Sequence, residues 1–425
     1  MKLRNLMYAT MIACAFASCS KDETPGVVGN DGEVAEATLS LMVNSTQTKA
    51  AADTDITSLD VVIFKGQVAE GSDPVLEKVG KATAADNVVA VENIPVTSGN
   101  KTIVVLANVP STLIEGIGKY SDLAELKKDF NAAGAAEVDG KLTMNSKVYE
   151  VNVAVDKKNY LGYLSVPEGG VAVTAAAGVA VNTPVNLYRN VAKVELNSLA
   201  VQPTANYKGG KFTLKGIFLL HGNKVTKLVG ADSKEWGATE VNMANALNGY
   251  LGEDAYQTWV DAMTGKTAVW PMFNGSMESE SSYVNAITTF ATTSFYAYEN
   301  TSATRTLVVV KGDFSYDGVG GTVKEENRYY PIAVGVSGID QSKGVLAAIP
   351  SNSELHAAIA NSGREGVILG VLRNVKYSLG LTITGPGYKT PFGPKPNTEG
   401  GSDTFLNVSC KVVGFAEVAQ SETVE

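Results

Sequence analysis

Residues 372–387 read LRNVKYSLGLTITGPG, and residues 405–425 read FLNVSCKVVGFAEVAQSETVE. A loop holding Pro391, Pro394 and Pro396 joins them, and Pro386 sits at its entrance. In the second run Leu406, Val408, Cys410 and Val412 take alternate positions, with Asn407, Ser409 and Lys411 between them. That period of two is the pattern of a strand with one buried face. After Val412 the phase moves by one residue, since Val413 and Phe415 are apolar around Gly414. A one-residue slip turns every later side chain to the other face, so a bulge or bend is expected near Gly414. Such a segment can close the sheet of its own domain, or it can be added as a strand to a neighbouring molecule. Periodicity alone leaves both open.

The same pattern recurs upstream. Ala37, Leu39, Leu41 and Val43 alternate with Thr38, Ser40, Met42 and Asn44, a first strand. Residues 59–64 and 102–107 are continuous apolar runs, read as buried strands. Further strands are expected at 148–155, 170–181, 185–201, 211–220, 294–298, 306–314 and 328–336, with a hairpin turn at DGVGG, residues 317–321. Two short helices are expected. One starts at Ser121 or Asp122, carries Leu123, Leu126 and Phe130, and ends by Gly134. The other spans Ser351 to Asn361, with a capping box from Ser351 to Glu354 and a stop at Gly363. Residues 233–277, which hold Trp236, Trp259 and Trp270, read as an irregular loop layer. Short strands with turn residues between them make this an all-β chain of two β-sandwich domains with a few short helices, divided near Thr183 and Pro184.

The totals narrow the function. The chain has 425 residues, 44% of them hydrophobic, so it can build more than one sizeable core. A net charge of −9 with only 19% charged residues argues against nucleic-acid binding, which needs a basic face. The two histidines, His221 and His356, lie in no metal-ligand spacing, and no nucleophile triad or phosphate loop appears; Gly318 to Gly321 is not followed by Lys-Ser/Thr and a helix. We therefore expect neither an enzyme nor a bound metal or cofactor. His221 reads as a turn residue, His356 as a surface side chain, Cys410 as a small buried hydrophobe and the three tryptophans as packing residues.

The first eighteen residues form a secretory leader. Lys2 and Arg4 precede the apolar run Leu6 to Ala17, and Ala17 and Ser18 precede Cys19, the pattern of lipoprotein cleavage before a lipidated Cys19, although Phe16 stands where Leu is usual. Cys14 leaves with the leader, so Cys410 has no partner within the mature chain. A small-residue tether follows to Glu36. Between the first strand and residue 59 lies a polar stretch of small residues with Lys49 in its middle, an exposed nicking site.

The stretches ITSLDVVIFKG, TIVVLANV, LYRNVAKVEL, SFYAYENTSATRTLVVVKGDF, RYYPIAV, LRNVKYSLGLTITGPG and LNVSCKVVGFAEV occur in an order that resembles the fimbrillins, the FimA-type shaft subunits of the type V pili of Bacteroidota-type bacteria. The SKDE run at 20–23 resembles the surface-export tag of their lipoproteins. The resemblance implies two transthyretin-like β-sandwich domains, at 50–184 and 185–425, behind the signal peptide at 1–18 and a lipidated propeptide at 19–49. It implies cutting between Lys49 and Ala50 by an Arg- or Lys-specific protease, which removes the first strand and its plugs Leu39, Leu41 and Val43. A donor segment of about 405–425, carrying Leu406, Val408, Val412 and Phe415, then fills the vacated groove of another copy. Other copies of the chain, accessory pilus subunits and, before cutting, the outer membrane are the implied partners. The chain departs from the family in having Lys rather than Arg at the cut, Phe415 where Trp is frequent, and Glu425 in place of a terminal aromatic. Two other readings stand beside the shaft subunit: an anchor or tip subunit of the same pilus, and a carbohydrate-binding surface lipoprotein.

Overall fold

The computed structural model describes residues 36–43, 56–68, 72–83, 88–129, 142–175, 179–220, 222–223, 225–229, 281–283, 293–301, 305–349, 351, 356, 366–389 and 406–414. The first half contains β1 (Ala37–Met42), β2 (Ser58–Lys65), β3 (Val75–Thr83), β4 (Ala90–Val96), β5 (Gly99–Ala107), α1 (Ser111–Ile114), α2 (Tyr120–Ala124) and β6 (Lys127–Asp129). It continues with β7 (Met144–Asn145), β8 (Tyr149–Val153), β9 (Lys158–Leu161), β10 (Gly170–Ala172), β11 (Thr174–Ala175) and β12 (Tyr188–Arg189). The second half contains β13 (Val191–Val201), β14 (Lys211–Leu220), β15 (Val225–Lys227), β16 (Ser281–Tyr283), β17 (Thr293–Tyr298), β18 (Leu307–Gly318), β19 (Gly321–Ala333), β20 (Val375–Ile383) and β21 (Leu406–Gly414). The fold is mostly β, with only short helices among the described residues.

Four larger sheets and a two-stranded ribbon result. The first has the order β10-β9-β1-β4, and the second runs β11-β8-β5-β2-β3 with β7 attached to β5 and β12 to β7. The third is β17-β13-β20-β21, the fourth β16-β14-β18-β19, and β6 pairs with β15. One core draws on the first two sheets, with Leu39, Leu41, Val61, Ile63, Ile94 and Leu161 among its members. Another draws on the third and fourth, with Val194, Phe212, Phe295, Val310, Tyr377 and Leu379. The other face of the second sheet is buried too: Val62, Phe64, Val104 and Leu106 lie under Ile114, Leu123, Leu228 and Val229. Burial on both faces is why β2 and β5 carry consecutive apolar residues, at 61–64 and 103–107, rather than alternating ones.

Several expectations are corrected. The helix expected from residue 121 stops at Ala124, because Leu228 donates its N–H to the Leu126 carbonyl at 2.9 Å and β15 then pairs antiparallel with β6. A partner strand takes the backbone groups that a continued helix would have used. Asp122 still serves the helix start, accepting from the N–H groups of Gly118 and Lys119 at 2.9 and 3.0 Å. The strand expected over 170–181 is two short pieces, β10 parallel to β9 and β11 antiparallel to β8. The hairpin turn is where it was read: Gly318 and Gly321 form the last pair, and Gly320 holds φ 103°. β21 pairs with β20 in unbroken register from Leu406 to Gly414, so no bulge interrupts it up to Gly414. Phe130, Gly134, His221, the 233–277 layer and most of 351–361 lie outside the described residues.

Candidate functional site: the slot of the first strand

β1 is an interior strand. Its antiparallel ladder with β4 joins Ala37 to Val96, Leu39 to Ile94 and Leu41 to Val91, and its parallel ladder with β9 joins Thr38 to Lys158 and Leu41 to Leu161. The ladders extend past the strand ends. Val43 N–H donates to the Val89 carbonyl at 2.8 Å, and Val185 N–H donates to the Met42 carbonyl at 2.9 Å. Leu39, Leu41 and Val43 are 0%, 0% and 2% exposed, so all three fill the core between the first two sheets. Burial of three such side chains contributes roughly 1.5–3 kcal/mol each.

The strand is keyed to its slot at one point. Between Leu39 and Leu41 the β4 ladder advances by three residues against two, so Glu92 and Asn93 together oppose Ser40. Asn93 has φ 53°, and its N–H donates to Ser40 Oγ at 3.0 Å. Ser40 is itself buried. A bulge of this kind leaves one ladder donor without a carbonyl, and here a side-chain oxygen takes it.

The slot walls have supports of their own. At the β4–β5 turn, Lys101 is fully buried, with Nζ 2.6 Å from both Glu77 Oε2 and Thr97 Oγ1, and Thr97 N–H donates to Glu77 Oε1 at 2.5 Å. These bonds tie the end of β4 to β3. On the other wall Asn159, fully buried, accepts from Ala154 N–H at 2.9 Å and donates to the Ala154 and Lys157 carbonyls at 3.0 and 3.1 Å, while β10 covers the far side of β9.

The terminal strand sits differently. β21 lies at the edge of the third sheet, bonded to β20 alone. Leu406, Val408 and Val412 fall on it, paired with Ile383, Leu381 and Tyr377. Cys19, Lys49, Ala50 and Phe415 lie outside the described residues.

A polar junction escaped the sequence reading. The tripeptide Arg-Asn-Val occurs twice, at 189–191 and 373–375, each time at the start of one of the parallel partners β13 and β20. The two copies interlock: Arg189 N–H donates to Asn374 Oδ1 at 3.2 Å, and Arg373 Nη1 donates to Asn190 Oδ1 at 3.4 Å. Arg373 is fully buried and also donates to Thr226 Oγ1 and the Lys227 carbonyl at 3.0 and 3.1 Å, with Glu299 Oε2 at 3.5 Å. Asn145 on β7 donates to Asn190 Oδ1 at 2.5 Å, so the junction reaches the second sheet. The repeat was visible in the sequence; nothing there indicated that its arginines are internal.

This architecture is fimbrilin-like. The fold matches a fimbrilin (FimA) from Porphyromonas gingivalis W83 with a TM-score of 0.51 at 18% identity, over 89% of this chain and 98% of that one. It also matches a protein ascribed to cell adhesion in Parabacteroides distasonis, with a TM-score of 0.58 at 22% identity and the same coverage. Residues 37–189 match the family model of the major fimbrial subunit protein (FimA). The sequence is 25% identical over 431 residues to the major fimbrium subunit FimA type-3 of Porphyromonas gingivalis, covering 99% of both chains. It is 27% identical over 446 residues to a type-4 subunit of the same species, covering all of both. Over its whole length the chain is thus similar to FimA major fimbrial subunits, and its first half matches their family model.

Proposed function

We propose that this protein is the shaft subunit of a surface fimbria that supports adhesion, and that it polymerises by donor-strand exchange. In this reading the precursor is exported as a lipoprotein through Cys19 and held at the outer membrane. It is cut between Lys49 and Ala50 by an Arg- or Lys-specific protease. The cut frees β1, and the terminal segment of a second copy enters its place. Residues 50–184 and 185–425 then act as two transthyretin-like β-sandwich domains, one receiving and one donating. Separate cores for the two sheet pairs support that division.

The observation that carries the reading is the situation of β1. It is fully packed and bonded along both edges, yet the walls on either side are held by Lys101, Glu77 and Asn159 without it. An empty slot would expose two rows of unpaired backbone groups beside an apolar trough, a strong template for an incoming strand. The contact is head-to-tail and does not close on itself, so it propagates as a fibre. The test is Lys49→Gln in the exported chain, which is expected to remain a monomeric precursor. Filaments forming at the normal rate from that variant would overturn the mechanism.

One observation favours a second reading. β21 already completes its own sheet through β20, as a chain that keeps its tail at home would, and an anchor or tip subunit of the same pilus has that property. Intact mass of surface-released protein separates the two: a start at Ala50 supports the shaft, and a lipidated start at Cys19 supports the anchor.

A further inference from the structure

Resting on the donor-strand reading, we infer that the incoming strand enters in one register, in which Ser409 of the second copy takes the place of Ser40 and accepts the Asn93 N–H. In this register Val408, Cys410 and Val412 take the places of Leu39, Leu41 and Val43.

The warrant is the bulge in the slot wall. Most of the slot accepts any strand with an apolar face, because backbone ladders carry no side-chain information. Asn93 is the exception. Its left-handed conformation turns the N–H away from the ladder, and in the precursor that donor is met by a serine oxygen at 3.0 Å in a site where Ser40 is 3% exposed. A strand without an acceptor there would take from this donor the protein partner it has in the precursor. The two runs match about this position: Leu39-Ser40-Leu41-Met42-Val43 against Val408-Ser409-Cys410-Lys411-Val412.

The neighbouring registers fail on chemistry. A shift of one residue in either direction puts Ser409 and Lys411 into core positions held by Leu39, Leu41 or Val43, burying a polar group and a charge. A shift of two in one direction brings Lys411 to the Ser40 position, where a cationic donor meets an N–H donor, and puts Gly414 where Val43 fills the core. The opposite shift forces the larger Asn407 into the closed Ser40 site.

Native Cys410 makes the register measurable. In the inferred register it takes the place of Leu41, opposite Val91. Shifted by two residues it would lie opposite Ile94 or beside Val89, the wall positions of Leu39 and Val43. Filaments assembled from the full chain carrying Val91→Cys, Val89→Cys or Ile94→Cys are oxidised and run without reductant. A ladder of disulfide-linked subunits from Val91→Cys alone, abolished by Cys410→Ser, is the expected result. A ladder from Val89→Cys or Ile94→Cys overturns the register, as does a failure of all three when filaments form. A chain ending at Asp403 that still polymerises would instead sink the donor-strand reading itself. Independently, Ser409→Ala is expected to speed filament dissociation on dilution about tenfold, with Ser409→Thr close to the parent. An unchanged rate for Ser409→Ala overturns the assignment of Ser409.

Discussion

β1 and β21 are near-copies in pattern and opposites in setting. Each is an alternating run with a serine among its apolar residues. β1 is bonded on both edges and contributes side chains that are essentially unexposed, whereas β21 is bonded on one edge at the margin of its sheet. Extraction of β1 opens two ladders and a core; extraction of β21 opens one ladder. On the proposed donor-strand mechanism, the first setting suits a strand held until a cut and the second a strand that leaves readily. The difference lies in the surroundings of the strands, since both share the same alternation.

The predictions probe that contrast, from the largest effect to the smallest. If the sheet that donates is held by the Arg373 junction rather than by β21, then Arg373→Met costs about 3–5 kcal/mol, because it leaves Glu299 charged and buried. In chemical denaturation this loss is expected to exceed that of ending the chain at Asp403. Equal losses would give β21 a structural weight its edge position does not support.

Next in size is Leu41→Ala in the uncut precursor. A fully buried leucine reduced to a methyl costs about 2–5 kcal/mol, and the site is rigid on both sides. A fall in Tm of only a degree or so would mean that β1 contributes little to the core. Native-state hydrogen exchange then compares the strands directly. Amides of β1 are expected to exchange at least about tenfold more slowly than those of β21, since an edge strand can open without disturbing a second ladder. Equal protection breaks the comparison.

The smallest effect lies outside both strands and serves as a control. Asp60 on β2 is buried, and burial raises its pKa above the ordinary carboxylate value, partly opposed by Lys81 at 3.7 Å. Ionisation is thus less favourable in the fold than in the unfolded chain. The resulting penalty is absent below the unfolded pKa of 3.8 and grows to its full size as pH rises through the folded value. Asp60→Asn is expected to raise Tm slightly at pH 7, with the gain shrinking towards pH 4, and to leave assembly unaltered.

Much of the fold was legible because strands announce themselves by local pattern. The alternation at 37–43 and 406–412 places β1 and β21 correctly, the run at 185–201 contains β13 behind the short β12, and the DGVGG turn between β18 and β19 follows from glycine alone. Misreadings came where a distant segment intervened. The run after Leu126 could have continued a helix, but β15, about a hundred residues away, claimed its backbone. The two Arg-Asn-Val copies look like solvated starts of strands, since arginine is seldom fully buried; only their parallel pairing turns each arginine onto the partner's asparagine.

By itself the sequence determined that this chain is built of strands, that apolar runs at its two ends have the same period, and that a small-residue stretch with Lys49 separates the first from the rest. Those are properties of neighbours along the chain, set by alternation and turn chemistry. Only the tertiary structure decided that the first run lies inside a sheet and the last at an edge, and that Asn93 presents a donor for a serine. Position within a sheet depends on which remote strands compete for the same backbone groups, and a local pattern carries no record of that competition.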